Sequence, residues 1–173
     1  EAFDLSVYNG FVTVTLERPV VVRTVWPVFI GEEPTIGRIR SQMRYNAPYS
    51  ISFVSDDDAP FPEGSEHDFR LVIKRREEDT LLKDIEKIVA RIPEDILAEC
   101  DNFEGTDHEL ELRNYNAATL NQTFQYSKEE EKYTIPCSLF VSSAPRQAVQ
   151  APFELEAFYT VFSDYRASIL KHP

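Results

Sequence analysis

Cysteine, methionine, tryptophan and glycine are all scarce in this chain: two, one, one and five among 173 residues. Two cysteines are too few for a disulfide scaffold. A chain of this length does not need one, because folding buries about 70% of its unfolded surface. Cys100 and Cys137 are therefore expected to be two ordinary reduced residues, with a single bridge as the alternative. Zinc would want Cys or His pairs at close spacing, and there are none. The glycines never cluster, so no loop is built to cradle a phosphate. No stretch approaches the roughly 18–20 apolar residues of a membrane-spanning helix.

Positive charge is scarce as well. Lys and Arg number 18 against 30 Asp and Glu, a formal net charge of −12. Phosphate neutralisation needs clustered Lys and Arg, so nucleic acid is excluded as a partner. An anionic membrane is a partner only if calcium mediates. Proteins remain, either as separate partners or as a neighbouring domain, and pairing of sheet edges leaves a homo-oligomer open. The opening Glu1-Ala2-Phe3-Asp4 has neither a start methionine nor the features of a signal peptide. The chain is thus expected to be a cytoplasmic piece of a longer protein. Asn121-Gln122-Thr123 is a glycosylation sequon, which matters only for a secreted chain.

Nucleophilic catalysis needs a Ser or Cys beside a His base and a third, orienting group. The three histidines, His67, His108 and His172, lie in polar segments or at the C-terminus, and no Gly-x-Ser-x-Gly elbow occurs. The chain is read as not an enzyme. A carboxylate pair in a deep pocket is the one catalytic arrangement that would revive that class.

What the chain does have is a wealth of Phe and Tyr, 12 and 8 of them. Phe3, Leu5 and Val7 alternate with Asp4, Ser6 and Tyr8; Asn9-Gly10 follows, then another apolar run to Leu16. Asn-Gly suits the two positive φ values of a type I′ turn, so residues 3–17 read as a β-hairpin. Further strands are expected over residues 20–30, 36–43, 49–55, 69–73, 110–112, 118–126, 133–142 and 153–162. Pro27 within the run 20–30 suggests an edge strand or bulge, and residues 165–170 read as a last helical turn or a tail. Near residue 77 the period changes. Leu81, Leu82, Ile85, Ile88, Val89 and Ile92 recur at helical spacing, with acidic and basic residues between them. An amphipathic helix is predicted over about 77–92, and a short helical turn opened by Pro93 over about 93–100. The fold expected is a mainly β antiparallel sandwich of about 8–10 strands carrying these helical insertions.

The order Tyr49-Ser50-Ile51, Phe53-Val54-Ser55, loop, Phe69-x-Leu71 returns as Tyr133-Thr134-Ile135, Phe140-Val141-Ser142, loop, Phe153-x-Leu155. One domain over 1–173 is the primary reading. Two related small modules, 1–76 and 101–173, joined by helix 77–100, are the alternative.

One loop concentrates acid. Asp56, Asp57, Asp58, Glu63, Glu66 and Asp68 crowd residues 56–68, and hard cations favour clustered oxygens. Asp56, Asp57, Asp58, Glu63 and Asp68 are the candidate calcium ligands, against the plainer reading of a solvated loop. Otherwise no cofactor is expected. Phe61, set between Pro60 and Pro62 in that loop, is the candidate partner-contact residue.

The segment Tyr133-Thr134-Ile135-Pro136-Cys137-Ser138, followed by Ala151-Pro152-Phe153-Glu154-Leu155, resembles the end of the calpain-type β-sandwich. Phe3-x-Leu5-x-Val7 with Val12-x-Val14-x-Leu16 is similar to that family's first strands. The resemblance covers about a third of the chain. It implies a C2-like regulatory domain that binds calcium or lipid through an acidic loop, with Asp56, Asp57 and Asp58 in that position. The helix expected at 77–92 departs from the pattern, and the protease motifs are absent, so no protease activity is implied. The functional expectation is a non-catalytic interaction or regulatory module. The alternative is calcium-dependent lipid binding through loop 56–68.

Overall fold

The computed structural model describes residues 3–8, 10–33 and 47–168. In chain order these form β1 (Phe3–Tyr8), β2 (Phe11–Ile30), β3 (Tyr49–Val54), β4 (Glu66–Arg75), β5 (Thr80–Arg91), β6 (Ile96–Cys100), β7 (Glu104–Thr106), β8 (Glu109–Asn116), α1 (Ala117–Thr123), β9 (Gln125–Ser127), β10 (Lys132–Val141) and β11 (Val149–Ser168). The strand expected at 36–43 lies outside the described residues. So does Asn9 of the hairpin turn, although Tyr8 faces Phe11 as that hairpin requires and Gly10 has φ 78°.

Two antiparallel sheets make a β-sandwich. One runs β1-β2-β11-β5-β8-β7 and the other β3-β4-β10-β6, with β9 added on β10. β2 and β11, from opposite ends of the chain, pair over their full lengths from Phe11↔Ser168 to Ile30↔Val149. A single core runs through both sheets. Trp26, partly buried, packs against it on Phe53, Phe69 and Phe153, with ring centroids 5.2–5.8 Å apart. The two similar stretches seen in the sequence differ in space. The first is a hairpin, β3–β4. The second leaves the smaller sheet at β10 and crosses to the larger one at β11.

The predicted helix over 77–92 is instead the strand β5, and the turn at 93–100 is the strand β6. The physical reason lies in the register of β5 against β11, which shifts twice, passing over Lys83 and Glu86. Each shift inserts one extra residue, as a β-bulge does. The core-facing residues Leu82, Ile85 and Ile88 therefore fall three apart, a spacing that imitates a helix, before Ile88, Ala90 and Ile92 resume the period of two. The charged residues between them lie on the outer face, where Lys83 meets Glu17, Lys87 meets Glu111 and Arg91 meets Glu109. Lys87, then Arg113, hold the Glu111 carboxyl below its ordinary value.

The strand expected over 118–126 is likewise corrected. Residues 117–123 are helical because Asn116 caps them, accepting from the Thr119 N–H at 2.9 Å while the Thr119 hydroxyl accepts from the Asn116 N–H. Buried Leu120 fixes this turn to the end of the sandwich. Residues 165–168, expected as a helical turn or tail, continue β11.

The cysteines are also corrected. Cys100 and Cys137 face each other across β6 and β10 and form a disulfide. Strand pairing brings residues 37 apart in sequence to a Cα separation of 4.0 Å, which spacing alone does not reveal.

Two tyrosines join the sheets. The Tyr159 hydroxyl on β11 accepts from the Tyr49 N–H at 3.2 Å and donates to the Tyr49 carbonyl at 3.0 Å. The Tyr49 hydroxyl accepts from the Leu82 N–H at 3.0 Å, beside one of the β5 bulges. Burial pushes the Tyr159 and Tyr133 hydroxyls up to about 12 and raises that of Tyr49. An unfolded tyrosine loses its proton near the ordinary value of 10.0, before the folded one does. Above that pH the unfolded state binds fewer protons, so stability is whole below about pH 10 and falls between about 10 and 12. Urea midpoints measured from pH 8 to 11 should show this fall. Tyr159→Phe should cost about 1–3 kcal/mol at pH 8, because it leaves the buried N–H and carbonyl of Tyr49 without their hydroxyl partner, and should flatten the alkaline fall.

Candidate functional site

The acidic loop does not gather its carboxylates. Asp56 is held by the Arg70 guanidinium, 2.7 Å from each oxygen. Asp57 lies 2.8 Å from Nδ1 of His67, whose Nε2 is 2.8 Å from the Ser65 hydroxyl. Glu63 turns away to accept from the Ala144 N–H at 3.2 Å. Asp58 is exposed, and Asp68 stands on the outer face of β4 opposite Ser138. Among the described residues no three His, Cys, Asp or Glu side chains group closely enough to hold a metal ion. Asp56, Asp57 and Glu63 thus go to different partners, and Asp58 and Asp68 are exposed.

Phe61 is no surface contact. It is 2% exposed and stacks on the His67 ring at 3.9 Å. Its N–H donates to the Phe29 carbonyl at 2.8 Å, and its carbonyl accepts from the Gly31 N–H at 3.0 Å. The loop folds back onto the end of β2, so both backbone groups of Phe61 are satisfied and its ring can enter the core.

The cysteines form a disulfide and offer no thiol. His108 is exposed, and His172 lies outside the described residues. Exposed Glu66, Glu99 and Asp107 line a recess of ≈ 170 Å³, and carboxylates line two larger ones. Glu104, Glu109 and Glu111 line one of ≈ 590 Å³ beside β7 and β8. Asp68, Glu99 and Asp101 line another of ≈ 410 Å³ beside the disulfide. All six reach solvent, and Glu111 is already tied to Lys87 and Arg113. Neither recess offers the buried, unpaired carboxylates that proton transfer needs.

The distinctive surface lies elsewhere. β5 pairs with β11 only as far as Ser163, which is also the last buried residue of β11. Beyond it, β11 continues beside β2, and β2 beside β1, as a three-stranded arm. Its two faces differ because each strand alternates with period two. One face carries Leu5 and Val7, then Val12, Val14 and Leu16, then Tyr165 and Ala167, all in matching cross-strand register. Leu5, Val7 and Tyr165 are 57%, 63% and 53% exposed. The opposite face holds Asp4, Ser6, Thr13, Thr15, Asp164 and Arg166, with Tyr8 and Phe11 beside the turn. The Thr15 hydroxyl donates to Asp164 at 2.6 Å. The apolar face continues the side of β11 that buries Phe153, Leu155, Tyr159 and Val161. It is a core face that has run past its covering sheet.

Fold and surface together define an antiparallel β-sandwich with a protruding, one-sidedly apolar β-arm. Compared with family models, with curated proteins and with solved structures, the chain matches none.

Proposed function

We propose that this chain is a non-catalytic interaction module whose contact element is the arm, with its apolar face meeting a protein partner or a neighbouring domain. The carrying observation is that face: seven apolar residues in register on three strands, with the most exposed of them where the second sheet no longer reaches. Contiguous exposed apolar patches on soluble domains mark interaction sites. The lipid-binding alternative draws less support, since three of its loop carboxylates, Asp56, Asp57 and Glu63, are engaged by Arg70, His67 and the Ala144 N–H. The disulfide favours an oxidising compartment over the cytoplasm expected from the sequence.

The triple variant Leu5→Ser, Val7→Ser, Tyr165→Ser tests this reading. A contact face is dispensable to the fold, so the unfolding temperature at low concentration should stay within the small range of surface substitutions. A large fall that is the same at every protein concentration would mean that the face packs within its own chain, and the reading would be wrong.

A further inference from the structure

The four ends of the two sheets are not equally protected. β7 is three residues long, and the β3 edge gives the Ile51 carbonyl to the Thr24 hydroxyl at 3.1 Å. β6 is five residues long. β1 is the exception, a six-residue outer strand with no Pro or Lys and, among the described residues, no strand on its outer side. Such an edge is a template for another chain.

Its backbone has a defined polarity. Tyr8 and Phe11 flank the two-residue turn and so form a hydrogen-bonded pair, which makes 4, 6 and 8 the positions bonded inward to β2. The N–H and carbonyl groups of 3, 5 and 7 therefore face outward. Consistent with this, the Leu5 N–H is taken up by its neighbour's carboxylate, Asp4 Oδ1, at 2.8 Å.

We infer that β1 joins two copies of this chain, pairing antiparallel with the partner's β1 about a two-fold axis at Leu5. This register sets Leu5 against Leu5, Val7 against Phe3 and Asp4 against Ser6. The outward-facing positions meet outward-facing positions, apolar residues share one face, and no two carboxylates lie opposite each other. Charge permits it too. The arm's three strands up to Leu16 and from Ser163 hold only Asp4, Asp164 and Arg166, so a −12 chain pairs through its least charged part. The inference rests on the arm being a contact element and adds what its edge contacts.

Sedimentation equilibrium of the whole chain from about one to a few hundred micromolar is the test. The expected result is a monomer–dimer equilibrium for the native sequence. Leu5→Lys alone and Leu5→Glu alone should each be monomeric with an unchanged unfolding temperature at low concentration, and an equimolar mixture of the two should dimerise. Val7→Pro, which removes an outward N–H and spares the β2 ladder, should be monomeric. A native chain that stays monomeric throughout overturns the inference while leaving the apolar face as a contact surface. A Leu5→Lys dimer as tight as the native one, or a mixture that does not associate, removes Leu5 from the two-fold axis and overturns it equally.

Discussion

Replacing both cysteines, Cys100→Ala with Cys137→Ala, is expected to destabilise the fold by about 4 kcal/mol, from the chain entropy the unfolded state regains when a loop of this length is opened. The bridge closes 37 residues of sequence separation, which take in β7, β8, α1 and β9. It also fastens β6, an edge strand whose ladder partner is β10. The unfolding temperature should fall on the order of 10 °C for a chain of this size. A reductant should lower the native protein by the same amount and leave the double variant unchanged. Hydrogen exchange should accelerate first at Ile96–Cys100. A native protein indifferent to reductant would show that the two thiols are not joined, and would restore the cytoplasmic expectation that the disulfide now opposes.

Phe153→Ala is expected to cost about 3–5 kcal/mol, the range for emptying an aromatic site in a packed core. Phe153 has no exposed surface and meets Trp26, Phe53 and Phe69 with ring centroids 5.2–5.8 Å apart. These rings come from β11, β2, β3 and β4, so one truncation loosens both sheets at once. Urea unfolding followed by Trp26 fluorescence reads the loss directly, because the indole lies against the emptied site. Phe153→Leu keeps most of the volume and should lose much less. Equal losses for the two variants would mean that ring packing contributes little here.

The sequence determined the parts of this protein that depend on neighbours along the chain. Asn9-Gly10 with alternating residues on either side placed the first hairpin, and the plain alternation around Phe69, Tyr133 and Phe153 placed β4, β10 and β11. An antiparallel β-sandwich was therefore legible. Two local signals were misread in opposite directions. Bulges at Lys83 and Glu86 stretched a strand's period toward that of a helix, although Ile88, Ala90 and Ile92 at spacing two already indicated the strand. Asn116 and Thr119 carried a capping signal that marked residues 117–123 as helix.

Tertiary structure alone decided the rest, because each remaining outcome depends on residues distant in sequence. The outward-looking Phe61 became core when its backbone bonded to the end of β2. Asp57, Asp56 and Glu63 of loop 56–68 were drawn to His67, Arg70 and Ala144, which lie 10, 14 and 81 residues from them. Cys100 and Cys137 met only because β6 pairs with β10 in one register. The arm shows the division most clearly. Its alternation was visible in residues 3–17, but an alternating strand looks the same whether its apolar side is covered or bare. Only the place where the second sheet stops made that side a surface.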